Sequence, residues 1–192
     1  MRISDKLGSI SFGSNEREQF MFNVGDKVVH PTRGAGVVIN IENKDIIDKF
    51  DKYYVIDMVT SDMKLMVPVK NAKKIGLRQA IERSKVLRVL NILRGYPDEL
   101  PEDHRERQAR IGEKLKSGDA IAIAKVVRNL YWRDQEKKLT TGDTRLFDRG
   151  KQFLIGELAL AAGLPNHHRL RIAAGRLWRP VALMNRNIPP PQ

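Results

Sequence analysis

The fold of this chain is decided by the segment FNVGDKVVHPTRGAG at residues 22–36. Its valines favour a β-strand, and Gly25-Asp26 marks a tight turn before that strand. Gly34 and Gly36 permit backbone angles that other residues avoid, so a second strand is expected to open there. The segment therefore predicts the beginning of a small sheet.

The β pattern continues to about residue 76. The second strand is predicted to run through residues 37–41, and two further strands are predicted at residues 53–59 and 63–67. The last two form a hairpin across the polar turn Thr60-Ser61-Asp62. Pro68 is expected to end its strand or to lie on an edge strand, because it has no backbone N–H to donate. Several short strands in so small a region predict a small barrel or a curled sheet, since a barrel leaves no exposed edges.

From Leu77 onward the apolar spacing changes from two to about 3.6 residues, which predicts helices. Gly95 and Pro97 are stop signals for the first of them, and Thr140-Thr141-Gly142-Asp143 is a plausible N-cap cluster for the last. We expect an α+β chain of two domains, a small β-barrel-like domain followed by an all-α helical bundle. The expected divisions are a flexible tail at 1–20, the β-rich domain at 21–77, the helical domain at 78–163 and a basic extension at 164–192.

Composition indicates a polyanionic partner. The net charge is +12 and the pI is about 10.1, a surplus that favours DNA, RNA or an anionic membrane surface. The sequence contains no cysteine, no apolar run that could span a bilayer and no recognisable signal peptide. We expect a cytoplasmic, nucleoid-associated protein without a membrane partner.

No motif argues for catalysis. The four histidines show no metal-ligand spacing such as HExxH, and neither a phosphate-binding glycine loop nor a GxSxG elbow occurs. We expect no metal, no cofactor and no enzymatic activity.

The helical half carries many cations that could neutralise phosphates. The candidates are Arg105, Arg107, Arg110, Lys114, Lys125, Arg128 and Arg149. Arg107, Arg110 and Lys114 are spaced three and four apart, which places them on one helix face. Acidic residues are interleaved with these cations, so a solvated surface with ion pairs is an equal alternative on charge alone.

The predicted strand at residues 53–59 carries large apolar side chains on both faces. A small sheet of this kind often meets a partner on one face. Alternatively, the helical half covers that second face.

The chain resembles the CarD/CdnL family of bacterial transcription regulators over roughly residues 22–163, and the β-rich module also occurs in transcription-repair coupling factors. The matching blocks follow the order and spacing of the family. They are VGDKVVHP (24–31), GAG (34–36), YYVI (53–56), MKLMVP (63–68), GLR (76–78), EKLKSGD (113–119), VVRNL (126–130) and IGELALA (155–161).

The resemblance implies a Tudor/SH3-like domain that binds the β subunit of bacterial RNA polymerase. It also implies a helical domain that touches double-stranded promoter DNA near the upstream edge of the −10 region, where an aromatic wedge props the minor groove open. The expected function is non-catalytic regulation of transcription by a monomer that stabilises the open complex. The candidate polymerase contacts are Lys44, Tyr54, Ile56, Met66 and Pro68.

The chain departs from the family pattern at three places. An ungapped alignment puts His104 where the family has its wedge tryptophan, with Tyr96 as the nearest upstream aromatic residue. Met66 stands where some members have arginine. Residues 164–192 replace a short acidic ending with five arginines and Trp178, which favours either a further nucleic-acid contact or a helix docked on the bundle.

A second function remains open. The same charge and fold class suit a general nucleic-acid-binding module, DNA- or RNA-directed, without affinity for polymerase. That module would bind free nucleic acid tightly, whereas a tethered regulator needs only weak DNA affinity.

Overall fold

A computed structural model describes residues 21–45 and 50–163, and it shows a two-part α+β chain in which an antiparallel sheet precedes the helices. The expectations for residues 1–20 and 164–192 lie outside the described residues. The domain boundaries stay predictions.

The sheet contains five strands in the order β4-β3-β2-β1-β5. They are β1 (Lys27–His30), β2 (Gly34–Asp45), β3 (Phe50–Met58), β4 (Lys64–Pro68) and β5 (Arg78–Gln79). A 3-10 turn (Val69–Asn71) and the short helix α1 (Ala72–Ile75) separate β4 from β5. The predicted hairpin across residues 60–62 is confirmed as the β3–β4 pair, and Pro68 is the last residue of β4.

Two features of the sheet differ from or go beyond the sequence pattern. Arg78–Gln79 pairs with β1 at a point where helical spacing was expected to begin. Gly76, in the left-handed conformation (φ 82°), ends α1. The amide of Ala80 then donates to the carbonyl of Lys27 at 2.8 Å. Backbone pairing with β1 therefore decides the local structure here, although the spacing of apolar residues favours a helix. In the part of the chain that is described, β4 and β5 are the two edges. Barrel-like closure and the Tudor/SH3 likeness stay predictions.

One face of the sheet forms a compact apolar core. Its buried members include Val28, Val38, Tyr54, Ile56, Met58, Val67 and Leu77. Phe22 packs edge-to-face on Tyr54, with ring centroids 5.8 Å apart, and the Tyr54 hydroxyl accepts hydrogen bonds from the amides of Met21 and Phe22. The segment before β1 is thereby fixed against the sheet.

Four longer helices follow: α2 (Arg83–Arg94), α3 (His104–Lys116), α4 (Ala120–Glu136) and α5 (Thr141–Ala161). Their start signals act as the sequence suggests. The side chains of Asp103, Asp119 and Thr140 each accept a backbone amide of the first turn, so the predicted Thr140 cap is confirmed. Gly95 ends α2 as expected.

The apolar faces of α2–α5 meet in a second core. Its most deeply buried residues include Val89, Ile111, Leu115, Ile123, Val127, Leu130 and Leu154. Among the described helices, none is both long and apolar enough to cross a membrane.

The end of α5 packs against the sheet. Ala159 and Leu160 share a small buried cluster with Val29, Ala35 and Val59. Gly156 permits this approach, because a β-carbon there would lie 3.1 Å from Thr60 and 3.4 Å from Ala35. The helical half therefore covers part of the second sheet face, around β1 and the start of β2.

Candidate interaction surfaces

The two faces of β3 have different environments. Tyr54 and Ile56 are 0% and 1% exposed and point into the core. Their prediction as partner-facing side chains is therefore wrong, since a partner could reach neither ring nor methyl without opening the core. Residues alternate across a strand, so Tyr53 and Val55 point to the opposite, outer face, where Tyr53 is half-buried and Val55 is buried.

The outer face carries the other candidate polymerase contacts. The cross-strand register pairs Met66 with Val55 and Pro68 with Tyr53, which puts both β4 residues on the face of Tyr53. Lys44 lies on the same face, because its ammonium nitrogen is 3.4 Å from the Met66 sulfur and 3.8 Å from a Glu42 carboxylate oxygen. Lys44, Tyr53, Met66 and Pro68 are here called the outer patch.

Tyr53 was missed in the sequence because both tyrosines fit a strand equally well. The available signal is the alternation of side chains along paired strands: of the two tyrosines, only Tyr53 shares the face of Lys44 and Met66. A slip of one residue moves a side chain through the sheet.

The edge strand β4 presents free backbone groups beside the outer patch. The amide of Met58 donates to the carbonyl of Met63 at 3.0 Å, which marks a hydrogen-bonded pair of the ladder. Because such pairs alternate in an antiparallel sheet, the backbone groups of Lys64, Met66 and Pro68 point away from β3. Within the described chain no strand pairs with this edge.

Arg107 is not a surface cation. It is 1% exposed, and its guanidinium binds the Asp143 carboxylate at 2.7 and 3.3 Å. Its remaining nitrogen donates to the carbonyls of Pro101 and Glu102 at 2.8 and 2.9 Å. The prediction that Arg107 lies on an exposed phosphate-binding face is therefore wrong; it fastens the loop before α3 to the start of α5.

The electrostatics of this pair are those of a satisfied buried ion pair. Burial alone would raise the pKa of Asp143, but hydrogen bonds from Arg107 and Thr140 outweigh that effect and hold the pKa below its ordinary value. Thr140 both caps α5 and donates its hydroxyl to Asp143 at 2.9 Å.

Arg128 is also withdrawn from solvent, at 8% exposure. Its guanidinium binds Asp98 at 2.7 Å and the side-chain oxygen of Asn129 at 2.8 Å, and that oxygen also accepts the Asp98 amide. Partial burial would raise the pKa of Asp98, but the Arg128 charge and hydrogen bond lower it below its usual range. Arg128 therefore holds the loop after α2 and leaves the candidate DNA-binding set.

The other candidate DNA contacts are exposed. Arg105, Lys114 and Lys125 have no ion-pair partner among the described residues. Arg110 is bound to Glu106 at 2.6 Å, one turn earlier on α3. Arg149 lies over the Phe153 ring at 5.3 Å and donates weakly to the Thr32 carbonyl at 3.3 Å.

Two aromatic side chains lie at the two ends of the connection between α2 and α3. His104 is exposed and is the first residue of α3. Tyr96 is 52% exposed and stacks on Trp132, with centroids 6.3 Å apart and planes 25° apart. Both rings can be reached from solvent, and the clamps formed by Arg107 and Arg128 fix the loop between them.

A further clamp joins the sheet to the helices. Arg78 of β5 binds both carboxylate oxygens of Glu157 at 2.6 and 2.8 Å, and it also donates to the Gly118 carbonyl. Glu157 is 2% exposed and accepts the Ile81 amide as well. Lys27 of β1 donates to the Leu160 carbonyl at 2.6 Å. These contacts fix β1 and β5 relative to α5.

The sequence contains one signal for this clamp. Glu157 is the single charged residue of the apolar block IGELALA at residues 155–161. A carboxylate inside an apolar stretch is rarely buried without a cationic partner. The partner itself, 79 residues earlier, has no local signature.

Comparison with known proteins identifies both halves. Residues 22–81 match the domain family described as CarD-like/TRCF RID domain, and residues 88–172 match CarD, C-terminal domain. The Bacillus subtilis (strain 168) protein YdeB, provisionally described as a transcription factor, is 29% identical over 144 residues. That alignment covers 75% of this chain and 94% of YdeB. The match of both domains, in this order, shows that the chain belongs to the CarD-like family of transcription regulators.

Proposed function

We propose that this protein binds the β subunit of bacterial RNA polymerase through its β4 edge and outer patch, and that its helices contact promoter DNA at the upstream edge of the −10 region. The consequence is a more stable open complex. The observation that carries this proposal is the β4 edge: its outward backbone groups lie beside Lys44 and Met66, on the part of the sheet that α5 leaves uncovered in the described chain.

Strand addition is the simplest way to use such an edge. An extended segment of the partner would pair with the free groups of Lys64 and Met66, and the outer patch would supply side-chain specificity. Pro68 limits the length of pairing because it offers no amide donor. The RID domain family matched by residues 22–81 interacts with RNA polymerase, which supports polymerase as the partner.

The DNA contact would use the exposed cations of the helical half. Arg105 and Lys114 of α3, with Lys125 of α4, are exposed and form no ion pair within the described chain. Phosphate contacts position a protein without reading sequence, so action at many promoters is expected. A protein tethered to polymerase needs only weak DNA affinity, because the second contact becomes intramolecular.

His104 would occupy the place of the wedge at the fork. Its exposed imidazole at the start of α3 can stack on a base, although it is smaller than an indole. Inserting a ring between base pairs costs stacking energy, and the inserted ring then slows reannealing of the duplex. Tyr96, eight residues earlier and half exposed, is the alternative ring at this loop.

The test is the lifetime of a promoter open complex after addition of a polyanionic competitor, with the full chain and purified polymerase. The chain is expected to lengthen the lifetime, and Arg105→Gln with Lys114→Gln to return it toward the value without protein. The matched control Lys73→Gln with Lys74→Gln removes the same charge from α1, and it should retain the effect. His104→Trp should lengthen the lifetime further.

The general nucleic-acid-binding module makes the opposite prediction. It binds duplex DNA or RNA tightly on its own and leaves the open-complex lifetime unchanged. That combination of results would overturn the proposed function.

A further inference from the structure

Helix α2 has an unusual charge distribution for a surface helix. Its twelve residues include four cations and no acid. The cations are Arg83, Lys85, Arg88 and Arg94, and all four are exposed. No candidate DNA contact predicted from the sequence lies on this helix.

These four cations have no partner within residues 21–45 and 50–163. Among the described residues no ion pair or hydrogen bond involves their side chains. Elsewhere in the helical half some cations are paired and others are not: Arg110 binds Glu106, Arg133 and Lys137 bind Glu102, and Lys151 binds Asp148. The surplus charge of α2 is therefore available to a partner.

Three of these cations do not serve the stability of the helix, whereas Arg94 lies in the last turn, where the helix dipole favours positive charge. Arg83 and Lys85 lie in the first turn, where the helix dipole disfavours positive charge, and that turn contains no acid. The preceding Glu82 forms no capping hydrogen bond, and its carboxylate accepts the Ser84 hydroxyl at 3.1 Å instead. Lys85 and Arg88, three residues apart, also repel each other on adjacent turns.

The exposed residues of α2 form two cationic rows with a neutral strip between them. Arg83 and Arg94 are eleven residues apart, about three turns, and so share one side of the helix. Lys85 and Arg88 form the second row. Between the rows lie Ser84, Leu87 and Asn91, all exposed, with Leu87 at 68%. At a rise of about 1.5 Å per residue the first row spans roughly 16 Å, which is several phosphate spacings of a DNA strand.

We propose that this outward face of α2 binds duplex DNA, with one row of cations on each of the two phosphate strands that border a groove. An α-helix fits between those strands in the major groove. The contact is additional to the one proposed for α3 and α4 and needs no polymerase. An acidic protein surface is the other possible occupant, but a single acidic patch does not require two parallel cationic rows.

The test measures binding of the full chain to a fluorescent duplex of about 30 base pairs, with salt varied from about 20 to 150 mM. Arg83→Gln with Arg88→Gln removes one cation from each row. The expected result is a several-fold weaker affinity and a salt dependence reduced by about 1.8 logarithmic units per decade, the value for two lost phosphate contacts. The control pair Lys73→Gln with Lys74→Gln removes equal charge from exposed positions of α1 and should change the slope little.

The outcomes separate this contact from the proposed function. If the α2 pair matches the control in slope and affinity, the inference is wrong, even where Arg105→Gln with Lys114→Gln weakens binding. If the α2 pair leaves DNA binding intact but weakens binding to polymerase, an acidic protein surface is the occupant and the inference is again wrong. Failure of the unaltered chain to bind duplex at the lowest salt also overturns it.

Thermal unfolding checks that the variant with both α2 substitutions is folded. Its stability should equal or exceed that of the unaltered chain, because the substitution removes the positive charge of Arg83 from the first turn.

Discussion

Two regions of the helical half use arginine in opposite ways. At the junction of α3, α5 and the loop before α3, Arg107 is buried and fully paired with Asp143 and two carbonyls. On the outward face of α2, Arg83 and Arg88 are exposed and unpaired within the described chain. The spacing of cations along a helix therefore does not show whether a cation forms a buried ion pair or is free to bind a partner. That depends on whether an acidic side chain lies beside it in the folded protein. The predictions below test this contrast, beginning with the largest effect.

Arg107→Ala should destabilise the protein by about 3–5 kcal/mol, because the Asp143 carboxylate would be left buried without its partner. Urea unfolding of the full chain measures this change. Arg105→Ala, on the same helix but exposed, should stay within about 0.5 kcal/mol of the unaltered chain. Similar values for the two variants would remove the distinction between the regions.

Glu157→Gln should cost less, about 1–3 kcal/mol. The amide retains the shape of the side chain and can still accept the Ile81 amide, but it loses the charge that binds Arg78, and Arg78 is itself partly exposed. Urea unfolding again gives the change in free energy. Glu113→Gln, at an exposed position of α3, is the control; an equal loss there would mean that the clamp between sheet and helices contributes nothing specific.

Acid should weaken the buried junction. The folded-state pKa of Asp143 lies below its unfolded value of 3.8, so its ion pair stabilises the protein above that pH and the contribution is lost as pH falls through the folded pKa. The free energy of unfolding should therefore decline below about pH 4. Asp143→Asn should be less stable at neutral pH and decline less steeply in acid. Parallel pH profiles for the two proteins would contradict the assigned role of the pair.

The smallest effect on stability is expected at the exposed cations of α3. Arg105→Gln with Lys114→Gln should leave the unfolding free energy within about 0.5 kcal/mol of the unaltered chain. The same pair should reduce the salt dependence of duplex binding by about 1.8 logarithmic units per decade. Fluorescence anisotropy at several salt concentrations measures the slope, and an unchanged slope would show that these cations do not face DNA.

Most of the secondary structure could be predicted from the sequence, but the burial of individual side chains mostly could not. Turn residues, caps and apolar periods act locally, so the β3–β4 hairpin and the Thr140 cap could be predicted from neighbouring residues. The strand Arg78–Gln79 could not, because its partner β1 lies some fifty residues earlier. The face of β3 was also misassigned: Tyr53 and Tyr54 have equal strand propensity, and only packing decides which of them is inside.

Two of the candidate DNA contacts, Arg107 and Arg128, are buried, which the sequence could not show for a related reason. Arg107 and Arg128 have the same local charge pattern as exposed arginines, but their acids lie 36 and 30 residues away in the chain. Conversely, the apolar stripe of α2 identifies its buried side and gives no information about its exposed cations. Here the informative observation was the absence of acids from its sequence, RSKVLRVLNILR.

The measurement that tests the account most directly is binding of the full chain to the purified β subunit of RNA polymerase at moderate salt. Saturable binding is predicted, and Lys44→Glu should abolish it because that substitution places a negative charge in the outer patch beside Glu42 and Met66. Lys74→Glu makes the same charge change on the exposed surface of α1 and should leave binding intact. Absence of binding by the unaltered chain, or equal losses from both substitutions, would contradict docking through the β4 edge and the outer patch.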